Sequence, residues 1–433
     1  MTPAARLSAA IEVFADIDAR RRPAADALKD WGLVHRFAGS SDRAAIAGLV
    51  YDALRRKASS AWLMGAGTPR AALVGMLQRE RSLDIAAIEA LCSGARFAPG
   101  PLSEAERTAL TSNTLAGAPA PVAGDYPDWL DPHFARVFGE ERAEEGAALS
   151  TRAPLDLRVN LLKAEREEVL PKLAHVNAEP TRWSPVGLRI RLSADAKNPA
   201  IHAEPVFRKG EIEVQDEGSQ LAALLAGARP GEQVIDLCAG AGGKTLALAA
   251  AMENRGQIYA TDIDKRQLAP IHERIARAGA RNIQVRTPRG EADVVADLAG
   301  RADLVLIDAP CTGTGTWRRN PDAKWRVRPG ALAERVKQQA ALLDRAATLV
   351  KAGGRIAYVT CSVLEDENGD QVRAFLARTA GFTLENPAEV ARPLGERAYL
   401  FNSAVLICDA GLLMTPRRTG TDGFFVSLLR RTT

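Results

Sequence analysis

The feature that most constrains this chain is a rhythm that sets in near Gly231, where short apolar runs alternate with helical patterns. The runs lie at 233–237, 257–261, 283–286, 304–307 and 355–359. Between them come segments such as DKRQLAPIHERIARAG and ALAERVKQQAALLDRAATLVKAGG, the second expected to close on Gly353 and Gly354. Strands that alternate with helices imply a mostly parallel, doubly wound α/β sheet. Ligands of such sheets bind just beyond the carboxyl ends of the strands. The residues that follow each run are therefore where chemistry is expected.

Three of those strand ends carry unusual residues. VIDLCAGAGGKT (234–245) runs from a strand into a glycine-rich turn and a helix. A phosphate-binding loop needs glycine where Cys238 stands, and a dinucleotide fingerprint needs one where Thr245 stands, so both readings fail. There remain an acid on the strand, Asp236, glycines that let a ligand approach the backbone, and Asp262 ending the next strand. A carboxylate at that place can hold both ribose hydroxyls of an adenosine-bearing cofactor. A sulfonium cofactor, S-adenosylmethionine, needs no phosphate cradle and suits this turn.

The second end is VLIDAPCTGTGTWRRNPDAKW (305–325), which puts Asp308 and Cys311 at a site mouth with Arg318, Arg319, Lys324 and Trp325 beside it. The third, YVTCSVLEDEN (358–368), repeats the layout with Thr360 and Cys361. A lone cysteine after a strand is more often a small buried hydrophobe than a nucleophile. Two at equivalent strand ends, beside a cofactor acid, shift that balance towards a shared reactive site.

At 433 residues the chain is expected to hold two or three domains. Residues 1–120 read as helical, with Ile46, Val50 and Leu54 on one stripe and Asp42 or Ser41 as a cap. Residues 121–145 read as a linker, 146–230 as a small α+β module, and 231–433 as the α/β domain. The net charge of +4, from 57 basic and 53 acidic residues, permits an anionic partner without requiring one. No apolar run approaches the roughly 20 residues that span a bilayer. The five scattered cysteines form no CxxC pair, which argues against a metal site or a disulfide framework and for a cytoplasmic protein.

Taken together, DLCAGAGGKT, LIDAPCTGTG, RRNPDAKW and TCSVLEDEN resemble the Nop/Sun family of RNA cytosine-5 methyltransferases. YPDWL, LRVNLLK and GEIEVQDEGSQL look like that family's RNA-binding lead-in, and DGFFVSLL like its closing motif. SSDRAAIAGLVYDALRR is similar to the NusB-like domain that precedes the family's bacterial ribosomal-RNA member. The resemblance implies a Rossmann-like S-adenosylmethionine-dependent methyltransferase domain, preceded by a small α+β RNA-binding module and an all-helical NusB-like domain.

It also implies roles. Cys361 is the expected nucleophile, adding to carbon 6 of a cytosine; Cys311 assists adduct breakdown; Asp308 reads the base. A free thiol, with a pKa of about 8.5, needs a nearby cation to be largely ionised. The cofactor is expected on Asp236, Cys238, Ala239, Gly240, Ala241, Gly242, Gly243, Lys244, Asp262 and Asp308. RNA phosphates are expected on Arg158, Lys163, Arg318, Arg319 and Lys324. No metal or membrane partner is expected, and the chain is expected to act as a monomer on small-subunit ribosomal RNA. Transfer RNA is the alternative substrate, and a non-catalytic RNA-binding or assembly factor the alternative of another class. Two departures stand out. The family's turn reads Ala-Ala-Pro-Gly-Gly-Lys where this chain has Ala239-Gly240-Ala241-Gly242-Gly243-Lys244. The acid usual after the third strand is missing from 285–290, leaving Glu291 or Asp293 as candidates.

Overall fold

The computed structural model describes residues 1–192, 199–290 and 292–432. The chain divides into two units.

The first comprises chiefly Met1–Ala153 and Trp317–Arg328. It is helical, and its helices begin where short polar side chains can take the free amides of a first turn. Thr2, Thr68, Asp84 and Ser103 each accept such an amide, and Ser103 forms a reciprocal capping box with Glu106. Ile46, Val50 and Leu54 are all buried, as the helical spacing predicts. Asp42 is no cap: Gly39 precedes the helix Ser40–Arg55, and Asp42 instead receives the N-terminal ammonium at 3.2 Å and Arg6 at 2.8 Å. The stretch read as a linker folds into the helices Ala120–Ala123, Asp131–Phe138 and Arg142–Leu149. Proline in the first turn of two of these, at positions where no amide donor is needed, starts helices rather than prevents them.

The Trp317–Arg328 segment is the larger surprise, because it leaves the α/β domain to which its position in the sequence assigns it. Trp317 is buried and stacks on Phe134, with ring centroids 5.9 Å apart. The helix Pro321–Arg326 then closes the end of helix Ser40–Arg55, whose last carbonyls lack partners of their own. Trp325 Nε1 donates to Leu54 O at 2.7 Å, and Lys324 Nζ donates to Arg55 O at 3.1 Å and to Ser150 Oγ at 2.8 Å.

The second unit carries two sheets. The strands Leu155–Val159 (β1), Glu179–Pro180 (β2), Gly187–Ile190 (β3) and Ile212–Val214 (β4) form an antiparallel sheet in the order β2-β3-β1-β4. Next come Gln233–Asp236 (β5), Gln257–Ala260 (β6), Ile283–Val285 (β7), Ala302–Asp308 (β8) and Val350–Thr360 (β9). Phe382–Leu384 (β10), Leu406–Cys408 (β11), Gly411–Met414 (β12) and Phe424–Arg431 (β13) complete the second sheet. Its order is β11-β12-β13-β9-β8-β5-β6-β7, with β10 on β13, and β5 to β9 run parallel as expected. DKRQLAPIHERIARAG breaks at Pro270 into Lys265–Leu268 and Ile271–Ala278. The long helix ends at Leu349, and Gly353 and Gly354 fall inside β9 instead of closing it.

The core of this unit packs Val234, Ile258, Leu304, Leu306, Ala357 and Val359 from the parallel strands against Leu221, Leu246 and Leu248. Chain order reverses between β5 and β8, and a crevice opens beyond the strand ends at that point.

Burial pushes the Lys324 ammonium down to about 7. A depressed lysine contributes stability in full above its ordinary value and loses it as the pH falls through about 7. Lys324→Met should therefore flatten the fall in melting temperature between pH 10 and pH 7. Parallel wild-type and variant melting curves across that window would exclude this role.

Candidate active site

The glycine turn follows β5 directly. Asp236, at the strand's end, is buried and accepts Thr245 Oγ1 at 2.7 Å and the Cys238 amide at 3.3 Å. Burial raises its carboxyl to about 7. Through these two bonds it holds the turn, and it is not among the residues that line the crevice. Gly242, also expected at the cofactor, faces away from it. Its φ is +84°, and a Cβ there would lie 2.5 Å from Ile271.

The other expected cofactor residues come together. Cys238, Ala239, Gly240, Ala241, Gly243, Lys244, Asp262 and Asp308 line a cavity of about 740 Å³. Asp262 receives the Gly240 amide at 2.9 Å on one oxygen and the Asp264 amide at 2.9 Å on the other, which fixes the carboxylate at the mouth. Ile263 beside it is 96% exposed, an apolar surface facing the same cavity. Burial and the carboxylates of Asp236, Asp308 and Asp262 drive the Cys238 thiol well up. That cluster of acids is negative, the sign a sulfonium requires, and the residues fit an adenosine-bearing cofactor of positive charge. Of the two candidates for the missing acid, Asp293 pairs with Arg345, which lines the cavity, and Glu291 lies outside the described residues.

Lys244 and Asp308 form an ion pair of 2.7 Å across the cavity wall, and Lys244 sits 4.9 Å above the ring of Phe424. The pair uses Asp308 Oδ2; among the described residues Oδ1 has no partner. Gly315 is required for a different reason. A Cβ there would lie 2.2 Å from Gly423 O, so the loop after β8 and the turn before β13 touch backbone to backbone.

Pro310 lines the cavity and leads into Cys311. β8 pairs with β9 in parallel, with Asp308 opposite Val359, so the loops that follow emerge side by side. Cys311 Sγ and Cys361 Sγ stand 3.3 Å apart. The Cys311 thiol is pushed well up, first by its hydrogen bond with Cys361, then by burial and by Glu367.

Glu367 escapes a reading by motif, although it lies within the quoted LEDEN. It is fully buried and accepts the Thr312 amide at 2.8 Å and Gln339 Nε2 at 3.1 Å, which anchors the residue after Cys311. Gln339 also donates to Pro310 O at 2.9 Å. On the other loop Asn368 Nδ2 donates to Ser362 O at 3.0 Å, which fixes the turn after Cys361. The signal for both residues was an acid and an amide within eight residues of a strand-end cysteine.

The expected phosphate ligands are dispersed. Arg158 is buried, donates to Gln215 Oε1 at 2.6 Å, and is lowered to about 10 by desolvation; it braces the cavity wall and is closed to RNA. Lys324 is likewise closed, because its ammonium is enclosed in the helical unit. Arg318 is buried there too, and Arg319 is half-buried. Lys163 is exposed but spans Lys209 O at 2.8 Å and Arg277 O at 2.7 Å. Among the described residues no helix is long and apolar enough to cross a membrane, and no group of three His, Cys, Asp or Glu could hold a metal ion.

A parallel sheet with a glycine turn after its first strand and an acid after its second defines a Rossmann-like methyltransferase. Residues 223–430 match the model of the family described as 16S rRNA methyltransferase RsmB/F, and residues 126–196 match that family's ferredoxin-like domain. A probable ribosomal RNA small subunit methyltransferase B of Synechocystis is 35% identical over 71% of this chain and 67% of its own length. The chain belongs to the RsmB/F family. Among solved structures, PH0851 is 25% identical with a TM-score of 0.71, covering 99% of each chain. A methyltransferase homolog protein from Pyrococcus horikoshii is 26% identical with a TM-score of 0.58, covering 74% of this chain and 100% of that one.

The Glu367 network yields a stability prediction. Glu367→Ala strands the Thr312 amide and Gln339, and should lower stability by about 1–3 kcal/mol in urea unfolding. Glu367→Gln keeps one acceptor and should lose less. Equal losses would assign the effect to charge and not to the acceptors.

Proposed function

We propose that the protein methylates carbon 5 of a cytosine in small-subunit ribosomal RNA, using S-adenosylmethionine and a covalent Cys361 adduct. The observation that carries this reading is the pair of thiols 3.3 Å apart beside a cavity lined with acids. The family match and the ribosomal relatives support the substrate class.

Carbon 5 of cytosine is a weak nucleophile. A thiolate that adds to carbon 6 forms an S–C bond and pushes the 5,6 π-electrons towards carbon 5. Cys361 is assigned this attack. Cys311, whose own thiol is pushed well up by its hydrogen bond with Cys361 and by burial, stands 3.3 Å from Cys361 Sγ and so lies beside the S–C bond that must later break. Asp308 has one carboxylate oxygen held by Lys244 and the other open to a cytosine amine, a donor that uracil lacks. Asp262 and the Gly240–Lys244 turn would hold the cofactor, with Ile263 against its adenine. Bound S-adenosylmethionine supplies the methyl group. The carbon 5 proton then passes to solvent, its bonding electrons re-form the 5,6 double bond, and the S–C bond breaks to return Cys361 as a thiolate, with Cys311 beside it assisting release. Carbons 5 and 6 are approached from the face of the base, so the cytosine is expected outside its stack.

Cys361→Ala should abolish both methyl transfer and any RNA–protein adduct resistant to denaturing gels. Cys311→Ala should accumulate that adduct. Full activity in Cys361→Ala would falsify the mechanism, and bisulfite sequencing of ribosomal RNA with and without the gene tests the substrate.

A further inference from the structure

We propose that a second cavity, next to the cofactor site, binds a phosphodiester segment of the RNA and is coupled to the cofactor turn through Arg274. The proposal rests on the RNA reading above and adds a site to it.

The cavity, of about 670 Å³, is lined by His202, Phe207, Arg208, Glu213, Arg274 and Arg277 among others. It shares Val214 and Arg274 with the cofactor cavity, so the two are continuous along one face of the second unit. Its charge is unbalanced. Glu213 is buried, and its two oxygens serve two guanidinium groups: Arg274 at 3.0 Å and Arg277 at 2.6 Å. One carboxylate between two arginines leaves a positive charge in the floor. Glu273 offsets little, being 86% exposed and 3.9 Å from Arg277.

The rim adds to this charge. Arg208 ends the helix Pro205–Arg208, is exposed, and has no side-chain partner among the described residues. His202 is exposed, its ring edge-on to Phe207 at 4.5 Å. The Arg277 guanidinium carbon stands over the same Phe207 ring at 4.2 Å, and its Nη2 is held by Glu213 at 2.6 Å, so the group is restrained from two sides. Arginines restrained in this way favour phosphate, which a guanidinium can meet with two parallel hydrogen bonds. An open cleft of this volume exceeds one phosphate and suits a chain of them.

The floor is tied to the reaction site by one side chain. Arg274 holds Glu213 through Nε and Nη2, while its Nη1 donates to Ala241 O at 2.8 Å, within the glycine turn. A phosphate that draws on Arg274 or Arg277 competes with Glu213 and alters how Arg274 grips that carbonyl. RNA in the cleft and cofactor on the turn then affect each other's affinity equally, as linkage requires.

The test compares Arg208→Glu with Arg392→Glu, the same charge change at an exposed arginine elsewhere in the unit, using transcribed small-subunit ribosomal RNA. Arg208→Glu should weaken RNA binding about tenfold at low salt and make the plot of log affinity against log salt shallower by about one. Arg392→Glu should stay within about twofold of wild type. Calorimetry with S-adenosylmethionine should show the RNA-dependent change in cofactor affinity in wild type and its loss in Arg208→Glu, with RNA-free affinities equal. Equal weakening by both variants, or an unchanged Arg208→Glu, overturns the cleft. An RNA effect on cofactor affinity that survives Arg208→Glu overturns the coupling. A wild-type protein that retains no RNA overturns the substrate reading itself, and is told apart because it fails before any variant is compared.

Discussion

The parallel register of β8 on β9 is the constraint on which the site depends. Asp308 opposes Val359, and the chain runs three residues on to Cys311 and two on to Cys361. A slip of one residue would turn every side chain of a strand to the opposite face. Here Leu304, Leu306, Ala357 and Val359 are all buried in one core, so a slip would also exchange core residues for their neighbours. The apolar packing of the sheet therefore sets the distance between two thiols that do not belong to that core's interior. Buried polar residues complete the work: Glu367 ties down one loop and Asn368 the other, both from the same short turn.

Much of this was legible in the sequence because it is local. Each parallel strand is a short apolar run, each chemical residue follows one within a few positions, and the glycine turn lies between a strand and its helix. What could not be read was which charged residues are buried. Arg158 and Lys324 look like any surface cation until their partners are known, and those partners are far away in sequence: Gln215 for one, Arg55 and Ser150 for the other. The segment 317–328 shows the same limit at a larger scale. Nothing in RRNPDAKW states that its helix will close the end of a helix formed some 270 residues earlier.

The small antiparallel sheet also changes meaning. Its motifs suggested a lead-in that touches RNA, and its basic residues the points of contact. In the structure Arg158 and Gln215 support the cavity wall, and Glu213 orients the arginine that grips the glycine turn. This bears on the turn's missing proline. Without a fixed φ at Ala241, the loop needs restraint from outside, and the Arg274 guanidinium provides it through the Ala241 carbonyl. A module that seemed ancillary to the chemistry is part of what shapes the cofactor site.

Charge gives the last step. Of the three carboxylates around Cys238, Asp308 is offset by Lys244, and burial raises Asp236 to about 7 so that its charge is only partial at neutral pH. Asp262 remains, half-exposed and held by two amides. The cavity is thus moderately negative, not strongly so. On the proposed reading that balance has a kinetic consequence. A sulfonium donor is positive, and its thioether product is neutral. A moderately negative site binds the donor more tightly than the product, without an attraction so deep that the charge lost on methyl transfer would raise the barrier steeply. Adding a further carboxylate to the cavity lining would deepen donor binding and work against transfer by the same electrostatic argument.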